Sequence, residues 1–251
     1  VAQLFVLDFS YFLLAAIMLM AVLYSSVGHG GASGYLAAMA LWGLAPEQMR
    51  PAALLMNIVV TCWLLYRFKP HQLMPYKLFW PLVLASTPMA FVAGMLTIDA
   101  IVYRLLVGAL LLVAAVRMLL IPAQAAERSE PDIKVVLLVG AVLGFAAGLT
   151  GIGGGVFLSP ILLIFGWCSM RESTAVAAGF ILLNSLAGLG GYLLSGQVWP
   201  LGTGWLLLAA FLGCLLGAEL ASHRASSLTL QKLLAVVLVI ASGKMLITAL
   251  A

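Results

Sequence analysis

Charge is scarce in this chain. Of its 251 residues, 8% are Asp, Glu, Lys or Arg and 65% are hydrophobic. A water-soluble globule of that size could not cover itself with polar surface, so its solvent is lipid. Cysteine is scarce too: Cys62, Cys168 and Cys214 are far apart and set among apolar residues. They lack metal or redox spacing and read as small packing residues. The three histidines show no His-x-x-Glu-type spacing and no nucleophile–base pairing, which argues against an intramembrane enzyme and predicts no metal or other cofactor. The net charge of +4 is spread among short loops, with no basic patch of the kind that binds nucleic acid. The first residues, from Val1, carry no basic segment followed by a small-residue cleavage site, and are expected to open the first helix.

What the chain does have is long apolar stretches. They lie at about 9–27, 31–45, 52–67, 77–97, 101–121, 134–150, 153–167, 173–194, 204–222 and 228–250, each bounded by Gly, Pro, Ser or charge. They are apolar all round instead of alternating as barrel strands do, so they predict helices in lipid. The expected fold is an all-α polytopic membrane protein. It divides into an N-terminal repeat over 1–121, a cytoplasmic linker over 122–133 and a C-terminal repeat over 134–251, all within one membrane domain.

A duplication runs through these halves. Gly28-His29-Gly30-Gly31 returns as Gly151-Ile152-Gly153-Gly154-Gly155 at a 123-residue offset. Tyr103–Leu120 resembles Gln231–Ile247, Trp80 matches Trp205, and Asn57 matches Asn184. With the N-terminus outside and a crossing at every run, Arg67, Lys69, Lys77, Arg117, Arg128, Lys134, Arg171, Arg224 and Lys232 fall inside. Only Arg50, Arg104 and Lys244 fall outside. That bias satisfies the positive-inside rule, puts both termini outside, and turns the second five-segment half upside down relative to the first. Runs 31–45 and 153–167 are short for a crossing at 1.5 Å per residue, so each glycine segment is either a broken helix or the tip of a re-entrant hairpin.

Consecutive glycines in a lipid-facing helix would cost about 1 kcal/mol each against alanine, so a break accounts for them better than packing alone. A break exposes backbone N–H groups at the start of the next helix, where the helix dipole and a glycine nest together suit an anion. Two inverted breaks aim such donors at one shared place.

The second motif, Gly151-Ile152-Gly153-Gly154-Gly155-Val156-Phe157-Leu158-Ser159-Pro160-Ile161-Leu162, with its degenerate first copy at Gly28–Ala32, resembles the signature of the sulfite exporter TauE/SafE family of membrane permeases, related to 4-toluene sulfonate uptake permeases. The first copy departs from it at His29, at Ala32 and at Ala37, which stands where the second has Pro160. The resemblance implies a transporter of sulfite, sulfonates and related organosulfonate anions in a bacterial-type inner membrane.

The expected function is therefore a secondary transporter exporting a small sulfur-containing anion (sulfite, sulfonate or sulfoacetate-like) by alternating access, with an anion channel of the same fold as the alternative. Its expected partners are the anionic substrate and membrane lipid, with no nucleic acid. Candidate substrate-binding residues are Gly28, His29, Gly30, Gly31, Ser33, Asn57, Thr150, Gly151, Gly153, Gly154, Gly155 and Asn184. The two asparagines qualify because polar groups in mid-membrane face function or bridge helices. The hydroxyls of Ser25, Ser26, Ser33, Thr150 and Ser159 flank the tips but are equally suited to bonding their own helices. His29 can titrate near neutral pH, and Glu219 shares a helical face with His223, so both are candidates for proton coupling. For Glu219 the plainer reading is a snorkelling carboxylate paired with Arg224. Arg171-Glu172 reads as loop charge and helix capping, and the tryptophans as an interfacial belt.

Overall fold

The computed structural model describes residues 11–26, 28, 30–68, 73–120, 128–197, 200, 202–220 and 227–250. Among them the chain forms ten helices and no strand. They are α1 (Tyr11–Ser26), α2 (Ala32–Leu41), α3 (Pro46–Phe68), α4 (Tyr76–Met95), α5 (Ala100–Leu120), α6 (Ile133–Thr150), α7 (Gly155–Ile164), α8 (Met170–Leu194), α9 (Thr203–Leu220) and α10 (Ser227–Leu250). Each apolar run became one helix. Six of the helices, α3, α4, α5, α6, α8 and α9, are long and apolar enough to cross a membrane. The protein is a multi-pass membrane protein. Of the linker expected at 122–133, residues 122–127 lie outside the described residues.

Local signals set several boundaries. Asp132 caps α6 by accepting from the Lys134 N–H at 2.8 Å. Ser169 and Glu172 form a reciprocal capping box that starts α8 at Met170, ahead of the expected Ser173. Helix α3 likewise begins at Pro46, not after Pro51, so Arg50 belongs to the helix and is not the loop charge it was counted as. Pro51 has no N–H to give the Glu47 carbonyl one turn back. That carbonyl accepts from the Tyr192 hydroxyl of α8 instead, at 3.2 Å.

Glycine lets several helix pairs come into backbone contact, among them α4 and α8, where Gly188 and Gly191 meet Gly94 and Phe91. Gly140, Gly144 and Gly148 of α6 lie directly against the backbones of Leu82, Ser86 and Ala90 of α4, in the same order along both helices, so the pair runs parallel. Gly213 and Gly217 of α9 lie in the same way against the Met18 and Val22 carbonyls of α1. The first helix of each set of five thus packs along the fourth of the other set. The third helices, α3 and α8, pack together antiparallel, with Asn57 opposite Ser185 and Leu54 opposite Gly188. The fifth helices, α5 and α10, do the same: Ser242 donates to the Gly108 carbonyl at 2.8 Å, and Arg104 to that of Thr248 at 3.3 Å.

The short helices show how the glycine segments are used. Helix α7 has 10 residues, about 15 Å at 1.5 Å per residue, half of a hydrocarbon core. It starts at the depth of Asn57, the midpoint of α3. It ends beside the start of α6, where the Ser129 backbone N–H and hydroxyl donate to the Gly166 and Phe165 carbonyls at 3.0 and 2.6 Å. Helices α6 and α7 therefore form a hairpin whose two ends share one end of the bundle. Helix α2, also 10 residues long, has its C-terminal Leu41 carbonyl capped by the Lys244 ammonium of α10.

Replacing Gly144 by Leu drives a side chain into the Ser86 backbone and is expected to destabilise the protein by about 3 kcal/mol. Gly243→Ala, at a helical site with nothing within 4 Å, is expected to be neutral or stabilising. Thermal unfolding in detergent measures both.

Candidate functional site

The second glycine segment is a true break. Gly151 ends α6 at φ +85°, and Gly153 and Gly154 both sit at φ +76°, a region L side chains avoid. No acceptor among the described residues takes the N–H of Gly153 or Gly154, and Gly154 is the N-cap of α7. The carbonyls on the other side of the break are held from outside. The Arg50 Nε donates to Gly148 O at 3.0 Å and the Tyr103 hydroxyl to Thr150 O at 2.9 Å. The Asn57 Nδ2 stands 3.5 Å from Gly151 O.

Both tips meet on α8. A Cβ built on Gly30 would lie 3.3 Å from the Ile181 methyls, one built on Gly153 would lie 3.0 Å from the same side chain, and Gly155 touches it too. Ile181, 2% exposed, is a wedge between the two glycine segments. Around it lie fully buried polar groups. Asn57 donates to the Ser185 hydroxyl at 3.3 Å but leaves Oδ1 without a partner. Asn184, nearly one turn beyond Ile181 on α8, leaves both Oδ1 and Nδ2 unpartnered. A buried unpaired polar atom costs about 1–3 kcal/mol, so a packed apolar core would not retain three of them.

Two cavities flank this centre at opposite ends of the α3–α8 pair. One, about 360 Å³, is lined by Glu47, Gln48 and Arg50 from the start of α3, Tyr192 from the end of α8, and Thr97 and Tyr103 among others. The second, about 210 Å³, is lined by Leu64 and Leu65 from the end of α3, by Arg171, Thr174 and Ala178 from the start of α8, and by Gly28 of the first tip. Each cavity thus carries one arginine. Each also reaches one glycine segment, the first through Arg50 and Tyr103, the second directly.

The remaining sequence candidates fall elsewhere. The Ser33 hydroxyl is bonded to that of Tyr24 at 2.6 Å. Thr150 donates to Ala146 O of its own helix at 2.7 Å and accepts from the Ile152 N–H. The Tyr35 hydroxyl stands 2.6 Å from where a Cβ on Gly31 would be, so the ring end covers that glycine. Glu219 is solvent-exposed and pairs with Arg67 at 3.5 Å. His29, His223 and Arg224 lie outside the described residues. Arg50, Tyr103 and Ile181 were not singled out as site residues from sequence. For Arg50 the available signal was an arginine directly before a proline at the start of an apolar run.

A family model described as "Sulfite exporter TauE/SafE" matches residues 13–245. The chain belongs to the sulfite exporter TauE/SafE family. It is 33% identical over 240 residues to a "Probable membrane transporter protein" of Sinorhizobium fredii, covering 92% of this chain and 96% of that one. A second "Probable membrane transporter protein", from Methanocaldococcus jannaschii, is 34% identical over 76 residues, 29% of this chain and 28% of that one. No solved structure matches. Within this TauE/SafE chain, Asn57 of α3 and Asn184 of α8 lie along their helices between the residues that line the two cavities.

Two substitutions separate site from scaffold. Asn184→Leu removes two unpartnered polar atoms at nearly constant volume and is expected to leave the melting temperature equal or higher. Arg50→Met strands three helix carbonyls and is expected to cost about 3 kcal/mol or more. A melting temperature lowered by Asn184→Leu as much as by Arg50→Met would make Asn184 a structural residue.

Proposed function

We propose that this protein is a secondary transporter that exports a small sulfur oxyanion or sulfonate across a bacterial-type inner membrane, by alternating access between two inverted five-helix halves. The observation that carries the reading is the pair of Gly153 and Gly154 N–H groups that have no acceptor among the described residues at the mid-membrane break, together with the buried, unpartnered Asn184 Nδ2 of α8. Amide Nδ2 and backbone N–H groups are donors that suit an anion's oxygens. They do so without a fixed cation at the break itself. The pairing of first helix with fourth, third with third and fifth with fifth, with the last two pairs antiparallel, supports the inverted repeat. With Arg50 set aside as a buried helix residue, the nine-to-two bias of the remaining basic residues supports both termini lying outside.

In this scheme the anion sits between the tips, held by the Gly153 and Gly154 N–H groups, the Asn57 and Asn184 side chains and the backbone of the first glycine segment. Ile181 separates the tips, and a local movement at this wedge and along the α3–α8 pair, where the halves meet through side chains, opens the path to one cavity while closing the path to the other. Flanking carbonyls remain satisfied because Arg50 and Tyr103 hold the α6 end in place.

The test is flux in proteoliposomes. Uptake of labelled sulfite is expected to saturate, to be accelerated by sulfite or methanesulfonate on the far side, and to be inhibited by both but not by neutral dimethyl sulfone. Gly153→Val, which clashes with Asn57 and strains a positive φ, is expected to reduce flux at least tenfold with membrane insertion intact. Competition by the neutral sulfone would overturn the anion site, and flux indifferent to far-side anion would make the protein a channel.

A further inference from the structure

The buried guanidinium of Arg50 does more than the reading above requires of it. Arg50 is 3% exposed, and it takes part in neither of the ion pairs found among the described residues, Arg67–Glu219 and Arg128–Glu172. Its Nε donates to Gly148 O at 3.0 Å, Nη1 to Leu96 O at 2.8 Å and Nη2 to Ala93 O at 2.6 Å. These are carbonyls at the C-terminal ends of α4 and α6, whose dipoles favour a cation but carry no formal charge. Three of the five guanidinium hydrogens are used in this way, which leaves a second hydrogen on each Nη. The side chain lines the 360 Å³ cavity beside Gln48, Thr97, Tyr103 and Tyr192, and its Cζ stands 5.7 Å from the Tyr192 ring centre.

We propose that this cavity is a second anion site, separate from the one at the glycine break, in which Arg50 receives a small oxyanion such as sulfite or a sulfonate head group. The proposal rests on the reading of the protein as a carrier of such anions. Three physical features support it. A buried charge with no counter-charge is costly, and an oxyanion in the cavity supplies that counter-charge. The planar fork of arginine matches the oxygen spacing of a sulfonate or sulfite, and the three carbonyls fix its orientation before the ligand arrives. The cavity is roomy enough for such an anion with water around it and offers the Gln48 and Thr97 side chains as further polar contacts. Glu47, exposed at the same rim, opposes an anion there and keeps occupancy transient.

Position gives the site a consequence. The fork that receives the anion also holds Gly148, three residues before the Gly151 turn. An anion at Arg50 draws on the hydrogens next to those that secure the α6 end, so occupancy of the cavity is linked to the geometry of the break. Under the charge-derived orientation this cavity faces the outside, where an exported anion arrives last.

The experiment varies charge at the rim and leaves the Arg50 hydrogen bonds alone. Methanesulfonate and sulfate are titrated at low ionic strength into the full chain in nanodiscs, with dimethyl sulfone as the neutral control. Two classes of anion binding are expected in the wild type, one of them abolished by Asn184→Leu. The other is expected to weaken about tenfold in Thr97→Glu and to tighten severalfold in Glu47→Gln, since a unit charge near a partly buried partner acts on that scale. If both rim variants bind within twofold of the wild type, Arg50 is a helix clamp only and the second site is overturned. If the single class observed is lost with Asn184→Leu, the proposed function stands without it. If neither anion binds better than the sulfone, both readings fall.

Discussion

Lipid offers no hydrogen bonds, so a helix can be interrupted inside a membrane only where protein groups take over the freed backbone. The break at residues 151–155 meets this requirement unevenly. On its carbonyl side Arg50 and Tyr103 bind Gly148 and Thr150, while Asn57 stands close to Gly151. On its N–H side, Gly153 and Gly154 have no protein acceptor among the described residues. An interruption satisfied on one side and open on the other is a scaffold with a donor surface. The position of α7, the depth of the candidate site and the location of the first cavity all follow from it.

Close packing makes that scaffold rigid. The α6 helix that ends at the break is seated along α4 by three glycines at four-residue spacing, and α9 is seated on α1 by two more. Backbone-to-backbone contact of this kind leaves little freedom for sliding. Movement is more easily accommodated where contacts are made by side chains, as at the Ile181 wedge and along the antiparallel α3–α8 pair. The two cavities open at the ends of that pair.

Most of the architecture is legible in the sequence because lipid allows so few solutions: ten apolar runs gave ten helices, and glycine clusters marked the interruptions. The buried asparagines were legible for the same reason, since an amide in mid-membrane has few harmless explanations. Side-chain partners were not legible. Arg50 was counted as an exterior loop charge because its carbonyl partners lie 43 to 98 residues away and Pro51 disguised the true start of α3. Ser33 and Thr150 were candidates either for substrate or for bonds within the protein, and Tyr24 and the Ala146 carbonyl take their hydroxyls. Glu219 found Arg67, 152 residues distant, a pairing no local pattern encodes.

The central claim is that the two cavities serve one shared site in turn. The direct measurement places a single cysteine in each, Gln48→Cys at one end and Thr174→Cys at the other, in a chain whose Cys62, Cys168 and Cys214 are replaced by alanine. The rate of reaction with a small hydrophilic thiol reagent is followed with and without saturating methanesulfonate. The account predicts that the anion shifts the two rates in opposite directions, one cavity closing as the other opens. Rates that rise or fall together, or that ignore the anion, would contradict it.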